Sequence, residues 1–118
     1  MDWKTPKWLF DELNDEFQFD FDPCPPNATF DGLVIDWGLC NFVNPPYGRQ
    51  LGLWVQKAFW EFTRQNLSVL LIPARPDTSY WHDYIFPFAT EIRFLRGRLK
   101  FDDGNTNAPF PSAIVIYK

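Results

Sequence analysis

The 118-residue chain predicts a small three-layer α/β fold, a mainly parallel sheet flanked by short helices with an antiparallel strand at its C-terminal end. Three observations lead there. Apolar residues recur at helical spacing in two segments, and compact apolar runs alternate with them. Polar or proline-rich turns end each run. The last run, Ser112 to Tyr117, follows a loop of roughly ten residues with no crossover helix, which suits antiparallel pairing with its predecessor.

Taken in order, Thr5-Pro6 reads as an N-cap followed by proline at the first helical position. Leu9, Phe10, Leu13 and Phe17 then fall on one helical face, predicting a helix from residue 6 to about 15. From Phe17 the period changes to two: Phe17, Phe19 and Phe21 alternate with Gln18, Asp20 and Asp22. This predicts a strand ended by Asp22-Pro23-Cys24-Pro25-Pro26-Asn27. Two more short runs, Leu33-Val34-Ile35 and Phe42-Val43, each stop at a polar turn. Val55, Ala58, Phe59 and Phe62 share a face of a helix that starts near Gly52. Ser68 to Ile72 has the density of a buried strand and is closed by Pro73-Ala74-Arg75-Pro76. A short aromatic helix at 78–86 and strands at about 91–101 and 112–117 complete the chain. Trp54, Trp60 and the aromatic cluster at 80–88 are expected in the core. The 11 prolines are scattered and no repeat or low-complexity linker interrupts them, so residues 1–118 are expected to be one domain.

Composition narrows the function. Aromatic residues make up 19% of the chain, including 13 Phe and 6 Trp, enough for both a compact core and stacking platforms. Cys24, Cys40 and His82 are the only residues of their kinds, which excludes a four-ligand Cys/His zinc site and argues against a disulfide scaffold. Both thiols are expected to be reduced, and His82 is expected at the surface. No metal is expected. No apolar run approaches the ~20 residues of a membrane helix. Met1-Asp2-Trp3-Lys4 lacks a leader pattern, which predicts a cytoplasmic location. The net charge of −4 argues against a simple basic coat for nucleic acid. Its distribution is uneven, because residues 1–48 carry −7 and residues 49–118 carry +3. That asymmetry permits a local phosphate-facing surface, or is a plain surface gradient.

The segment with the most chemical content is Val43-Asn44-Pro45-Pro46-Tyr47-Gly48. Adjacent prolines force the chain out of the sheet in a stiff extended turn. A turn at a strand's carboxyl end sits where ligands bind in open α/β sheets. The Asn44 carboxamide oxygen and a backbone carbonyl of Pro45 or Pro46 would be two fixed acceptors. Two acceptors can grip both hydrogens of a planar exocyclic amine and push electron density onto its nitrogen. Tyr47 would stack on the ring that carries the amine, as expected for a base taken out of its helix. The nitrogen is then poised to attack an electrophilic carbon.

Asn44-Pro45-Pro46-Tyr47 resembles the catalytic motif of S-adenosylmethionine-dependent amino-methyltransferases. The wider pattern is similar to the phage DNA N-6-adenine methyltransferase (Dam-like) family. It comprises Trp3-x-Thr5-Pro6-x-x-Leu9-Phe10, Glu16-Phe17-x-Phe19-Asp20-x-Asp22-Pro23-Cys24 and Phe42 to Gly48. Leu71-Ile72-Pro73-Ala74-Arg75-x-Asp77-Thr78 with Trp81, and Gly97-Arg98-Leu99-Lys100-Phe101, extend it over nearly the whole chain. The resemblance implies a minimal Rossmann-like methyltransferase sheet, S-adenosylmethionine as cofactor and DNA as partner, in the host cytoplasm if phage encoded. Relatives of the motif modify RNA adenines and protein glutamines, and a non-catalytic descendant that binds DNA or protein is a further alternative.

The same resemblance assigns the remaining residues. Trp3, Thr5 and Pro6 look like the N-terminal cofactor motif, where a hydroxyl and helix N–H groups meet the methionine carboxylate; a plain helix cap explains Thr5-Pro6 equally. Asp22-Pro23-Cys24 looks like the acidic cofactor motif, reaching the methionine ammonium or a water near the sulfonium, or is an Asx turn ending a strand. The family's glycine-rich loop is missing, and only 21 residues separate Asp22 from Asn44. Asp36 is the candidate for the cofactor ribose, with Asp31 as the alternative. The cofactor pocket is expected to be shallow or to be completed by a second copy of the chain. Arg75 and Asp77 should share the sheet edge of Asn44 if the neighbouring strand is parallel, meeting a phosphate or pairing with each other. Arg96, Arg98 and Lys100 lie on one strand face opposite Leu95, Leu99 and Phe101, as a row facing phosphates or a solvated edge. Arg49, next to the bend, joins this DNA-facing set.

Overall fold

The computed structural model describes residues 4–101 and 107–118. Helix α1 (Lys7–Phe17) precedes β1 (Cys40–Val43), α2 (Leu51–Thr63) and β2 (Leu67–Pro73); a π-helical turn (Trp81–Ile85), β3 (Glu91–Phe94) and β4 (Ser112–Tyr117) follow. Among the described residues the strands form one sheet of order β1-β2-β4-β3. β1 runs parallel to β2, from Cys40 opposite Leu67 to Val43 opposite Leu70. β4 is antiparallel to both β2 and β3. The sheet is therefore mixed, not mostly parallel. Only the β1–α2–β2 unit has the helical crossover that parallel neighbours need, and β4 enters from the opposite end through the β3 turn.

β4 is buried along its whole length and β2 from Ser68 onward, so their side chains supply both faces of the core. Leu70, Ile72, Val115 and Tyr117 meet Trp54, Val55 and Ala58 of α2 together with Trp81 and Ile85. Val69, Leu71, Ile114 and Ile116 meet Leu9 and Leu13 of α1 with Leu99, Phe101 and Phe110. Each such Leu or Ile stabilises the fold by ~1.5–3 kcal/mol.

Several expectations change. α1 starts at Lys7, with Pro6 as its N-cap residue, and continues to Phe17. Gln18, at a φ of 57°, ends it by donating its N–H to the Asn14 carbonyl. The predicted strand at 17–21 shrinks to one parallel bridge, Phe21 with Asn41, because the helix takes Phe17 and Pro23 stops the pairing. Leu33-Val34-Ile35 is a turn: Asp31 takes the Leu33 N–H on its carboxylate and the Val34 N–H on its carbonyl, leaving Val34 77% exposed. The strand predicted at 91–101 is regular only at 91–94, since Gly97 turns the chain at a φ of 68°. Its alternation survives, with Leu99 and Phe101 buried and Arg96, Arg98 and Lys100 exposed. Trp54 is in the core as expected, whereas Trp60 is 58% exposed on the outer face of α2. Within the 80–88 cluster Trp81 is buried, but Phe86 and Phe88 are exposed. His82 is at the surface, and the two cysteines are not joined in a disulfide. No helix among the described residues is long and apolar enough to cross a membrane.

Polar side chains pin the elements together. Asn41 is fully buried in β1, accepting the Gly38 N–H at 2.9 Å and donating to the Gly38 and Leu67 carbonyls at 2.9 and 3.0 Å. Arg93 on β3 makes a forked pair with Glu16 at the end of α1, both contacts 2.7 Å, and reaches Glu91 at 2.6 Å. These bonds hold both carboxyls below the ordinary range. Glu61 is buried near the end of α2 and accepts from Lys57 Nζ and Asn66 Nδ2, each at 2.8 Å. Burial alone would raise its pKa, but these two donors outweigh it and hold the carboxyl below its ordinary 4.5. A folded-state pKa below the unfolded value stabilises above pH 4.5, and that stability is lost as pH falls through the folded value. Denaturant unfolding from pH 7 down to 3 is expected to show this acid loss, and Glu61→Gln is expected to flatten it. Glu61→Ala should cost about 3 kcal/mol at neutral pH.

Candidate functional site

Because Phe21 bridges to Asn41 in parallel, the chain leaves the sheet in the same direction after Phe21 and after β1. Asp22-Pro23-Cys24 and Asn44-Pro45-Pro46 therefore project from neighbouring carboxyl ends. Between them lies a cleft of about 540 Å³. One wall is Lys4, Thr5, Lys7 and Phe10, from the start of α1 and the residues before it. The second is Asp22, Cys24, Pro25, Pro26 and Asn27; the third is Phe42, Asn44, Pro45 and Pro46.

Local structure explains each placement. The expected cap at Thr5 is not formed: the α1 start carries no side-chain cap, and the Pro6 carbonyl accepts from Leu9 and Phe10 at 3.1 Å each. Thr5 instead uses its hydroxyl on the bend, accepting from Asn44 Nδ2 at 3.0 Å. Asp22 Oδ1 takes the Cys24 N–H at 2.9 Å, an Asx turn that directs the chain into Pro25-Pro26. Burial pushes the Asp22 carboxyl up, and the Cys24 N–H opposes it only in part. The loop returns to brace this corner at Gly32, whose carbonyl accepts the Trp37 indole N–H at 2.7 Å. A side chain at Gly32 would overlap the Pro23 carbonyl and crowd the Trp54 ring.

Tyr47 is tied down. Its phenol donates to the Leu71 carbonyl at 3.1 Å, and its ring stands edge-on to Phe110 with centroids 5.4 Å apart. Burial, with Tyr80 nearby, raises the phenol well above its ordinary pKa. Tyr47 thus buttresses the bend, and it is not among the residues that line the cleft. Gly48 follows at a φ of 136°, a conformation that favours glycine, and leads through exposed Arg49 into α2.

The sequence-predicted residues separate into groups. Thr5, Asp22, Cys24, Asn44, Pro45 and Pro46 share the cleft, while Pro6, the N-cap of α1, and Pro23, against Gly32, are not among its lining residues. Trp3 lies outside the described residues. Asp36 is exposed and pairs with Arg64 at 3.0 Å, away from the cleft lining, and Asp31 serves its own turn. Arg75 and Asp77 follow β2, the parallel neighbour of β1, so they emerge at the same sheet edge as Asn44, both exposed. Arg49, Arg96, Arg98 and Lys100 are exposed as well. Sequence reasoning missed Lys4, Lys7, Phe10 and Phe42 as cleft residues. Phe10 was visible in a helical stripe and, with Phe42, in the family pattern, but not as a cleft residue, and the two lysines counted only as charge. Among the described residues no group of three His, Cys, Asp or Glu side chains gathers as a metal-ligand set.

Gly32→Ala is expected to cost about 2 kcal/mol by forcing the loop off Pro23, measured by denaturant unfolding. Gly48→Ala, which has open space for a methyl but the wrong φ, should cost about 1 kcal/mol.

Comparison with curated proteins returns no match. A family model described as DNA N-6-adenine-methyltransferase (Dam) matches residues 2–114, a span that includes every residue lining the cleft. The chain belongs to the DNA N-6-adenine-methyltransferase (Dam) family.

Proposed function

We propose that residues 1–118 act as one domain that transfers a methyl group from S-adenosylmethionine to the exocyclic amine of adenine in DNA. The observation that carries this reading is the meeting of Asp22 and Asn44-Pro45-Pro46 in one cleft, in a chain of this family.

The cleft residues fit the cofactor by size and by donor set. A volume of about 540 Å³ falls within the ~300–1,000 Å³ common for small-molecule sites. Lys4 and the Thr5 hydroxyl, beside Lys7 in its 2.6 Å pair with Asp11, would take the carboxylate of its amino-acid end, and Asp22 the ammonium. Phe10 and Phe42 supply apolar wall for the less polar parts. When bound, S-adenosylmethionine supplies an electrophilic methyl carbon on a sulfonium. The protein's part is alignment and electrostatics. Asn44 Oδ1 and the Pro45 carbonyl accept the two amine hydrogens, hold the nitrogen in place and raise its electron density. The prolines keep both acceptors rigid, so little ordering entropy is lost when the substrate arrives. Tyr47, half-buried and fixed through Leu71, would stack on the unstacked base from beside the bend. Arg49, Arg75, Arg96, Arg98 and Lys100 serve as phosphate contacts, with Asp77 exposed beside Arg75 after β2.

A second reading, a non-catalytic chain that binds DNA or protein and no cofactor, is favoured by the position of Asp36, which leaves the cleft lining without the expected ribose acid. Calorimetry with S-adenosylmethionine separates the two, because a binder without transfer shows no heat at millimolar ligand.

Mass analysis of DNA from cells expressing the chain tests the proposal: methyladenine is expected with the native chain and none with Asn44→Ala. RNA adenine or protein glutamine carrying the label instead would redirect the substrate. Asp22→Asn should weaken the cofactor about tenfold. Affinity should fall on acidification from above pH 3.8, because burial raises the Asp22 pKa, and the Asn variant should lose that dependence. The sign for stability is opposite. A raised carboxyl pKa stabilises at low pH and loses that contribution as pH rises, so Asp22→Asn should raise the unfolding temperature at pH 7.

A further inference from the structure

Thr5 and Asn44 lie far apart in sequence and both line the cleft, joined by the 3.0 Å bond from Asn44 Nδ2 to Thr5 Oγ1. A carboxamide has a donor end and an acceptor end, and a half-turn about its last torsion exchanges them. With the nitrogen toward Thr5, the carbonyl oxygen is the end turned away from it. In the reversed orientation the amide hydrogens would face the hydrogens of a substrate amine, and nothing would draw density onto the attacking nitrogen.

A threonine hydroxyl can accept and donate at once, so by itself it does not choose between the two orientations. It chooses once its own hydrogen is committed elsewhere. Lys4 and Lys7 line the same wall as Thr5; the Lys7 ammonium pairs with Asp11 at 2.6 Å, so Lys4 carries the wall's remaining positive charge. We propose that Thr5 is a positioning residue. An anionic group of the cofactor, held at the wall formed by Lys4, Thr5 and Lys7, takes the Thr5 hydroxyl hydrogen. The Thr5 oxygen is thereby left as an acceptor for Asn44 Nδ2, which sets the carboxamide for the substrate amine. Cofactor occupancy and amine alignment are coupled through one oxygen atom, each bond polarising the next. This rests on the reading of the cleft as the cofactor site.

Nitrogen-15 NMR of the full chain tests it, with the Asn44 side-chain amide pair assigned by its loss in Asn44→Asp. The probes are S-adenosylhomocysteine, which keeps the amino-acid carboxylate but has no methyl to transfer, and methylthioadenosine, which lacks that carboxylate. S-adenosylhomocysteine is expected to shift the Asn44 pair and slow its exchange with water in the native chain and in Thr5→Ser, but not in Thr5→Val. Methylthioadenosine is expected to leave the pair unmoved in all three. At saturating cofactor, Thr5→Val should lower kcat about tenfold, and Thr5→Ser should restore it. An Asn44 pair that responds equally in Thr5→Val, or a loss in Thr5→Ser as large as in Thr5→Val, overturns the coupling alone. Absence of S-adenosylhomocysteine binding to the native chain by calorimetry overturns the cofactor reading together with the coupling.

Discussion

A carboxamide sealed inside a sheet is costly unless its hydrogen-bonding groups find partners, and Asn41 meets that demand with three backbone groups. Two belong to Gly38 and one to Leu67, so satisfying Asn41 fixes where β1 begins and how it lies against β2. The same residue is the bridge partner of Phe21. Its position therefore decides where the chain escapes at Asp22 and, a few residues on, at Asn44. The two sides of the cleft take their spacing from this buried group, which has no contact with anything the cleft would hold.

The chemistry of the cleft is divided by wall. Cations and a hydroxyl come from the start of α1, the acid comes from the Asx turn, and the rigid acceptors come from the bend. Each uses a short-range device to hold its shape: proline rigidity, a side chain closing on its own backbone, or an absent side chain at Gly32. This is how a chain with no glycine-rich loop and no regular strand between residues 22 and 39 still encloses a volume suited to a small molecule. The economy has a cost in the electrostatics, since burial disfavours the charged form of Asp22 and the Cys24 N–H offsets this only in part.

Much of this was legible in the residue pattern. β2, β4 and α2 were read with nearly correct limits because apolar density and helical spacing both report burial, which tertiary packing then supplied. Asn44-Pro45-Pro46 was legible because two prolines leave the backbone few choices. The failures share a cause. Phe17 to Phe21 alternates like a strand, and Leu33 to Ile35 is apolar enough for one, but a strand also needs a neighbour. Phe21 found a partner only at the sheet edge, and Val34 found water. Trp60 was assigned inward on bulk alone, although the face of α2 defined by Val55 and Ala58 leaves it outside. Asp36 was placed at the end of the Leu33–Ile35 run, which is not a strand, and Arg64 just after α2 claims it instead. The cleft's lysines were illegible, since their meaning depends on a wall assembled from residues far off in sequence.

Arg93 holds one end of α1 by charge, whereas the other end is held by Leu9 in the core and by the bond from Asn44 to Thr5. Its fork to Glu16 grips the last turn of the helix, whereas the first turn is the wall of the cleft. The helix spans from the outermost strand of the sheet to the cleft, so one rod joins Arg93 to the wall where Lys4, Thr5 and Lys7 stand. The Arg93 contact is ionic and only half shielded, and dissolved salt weakens such contacts first. Ions in the surroundings thus act on one end of the rod whose other end faces the cleft.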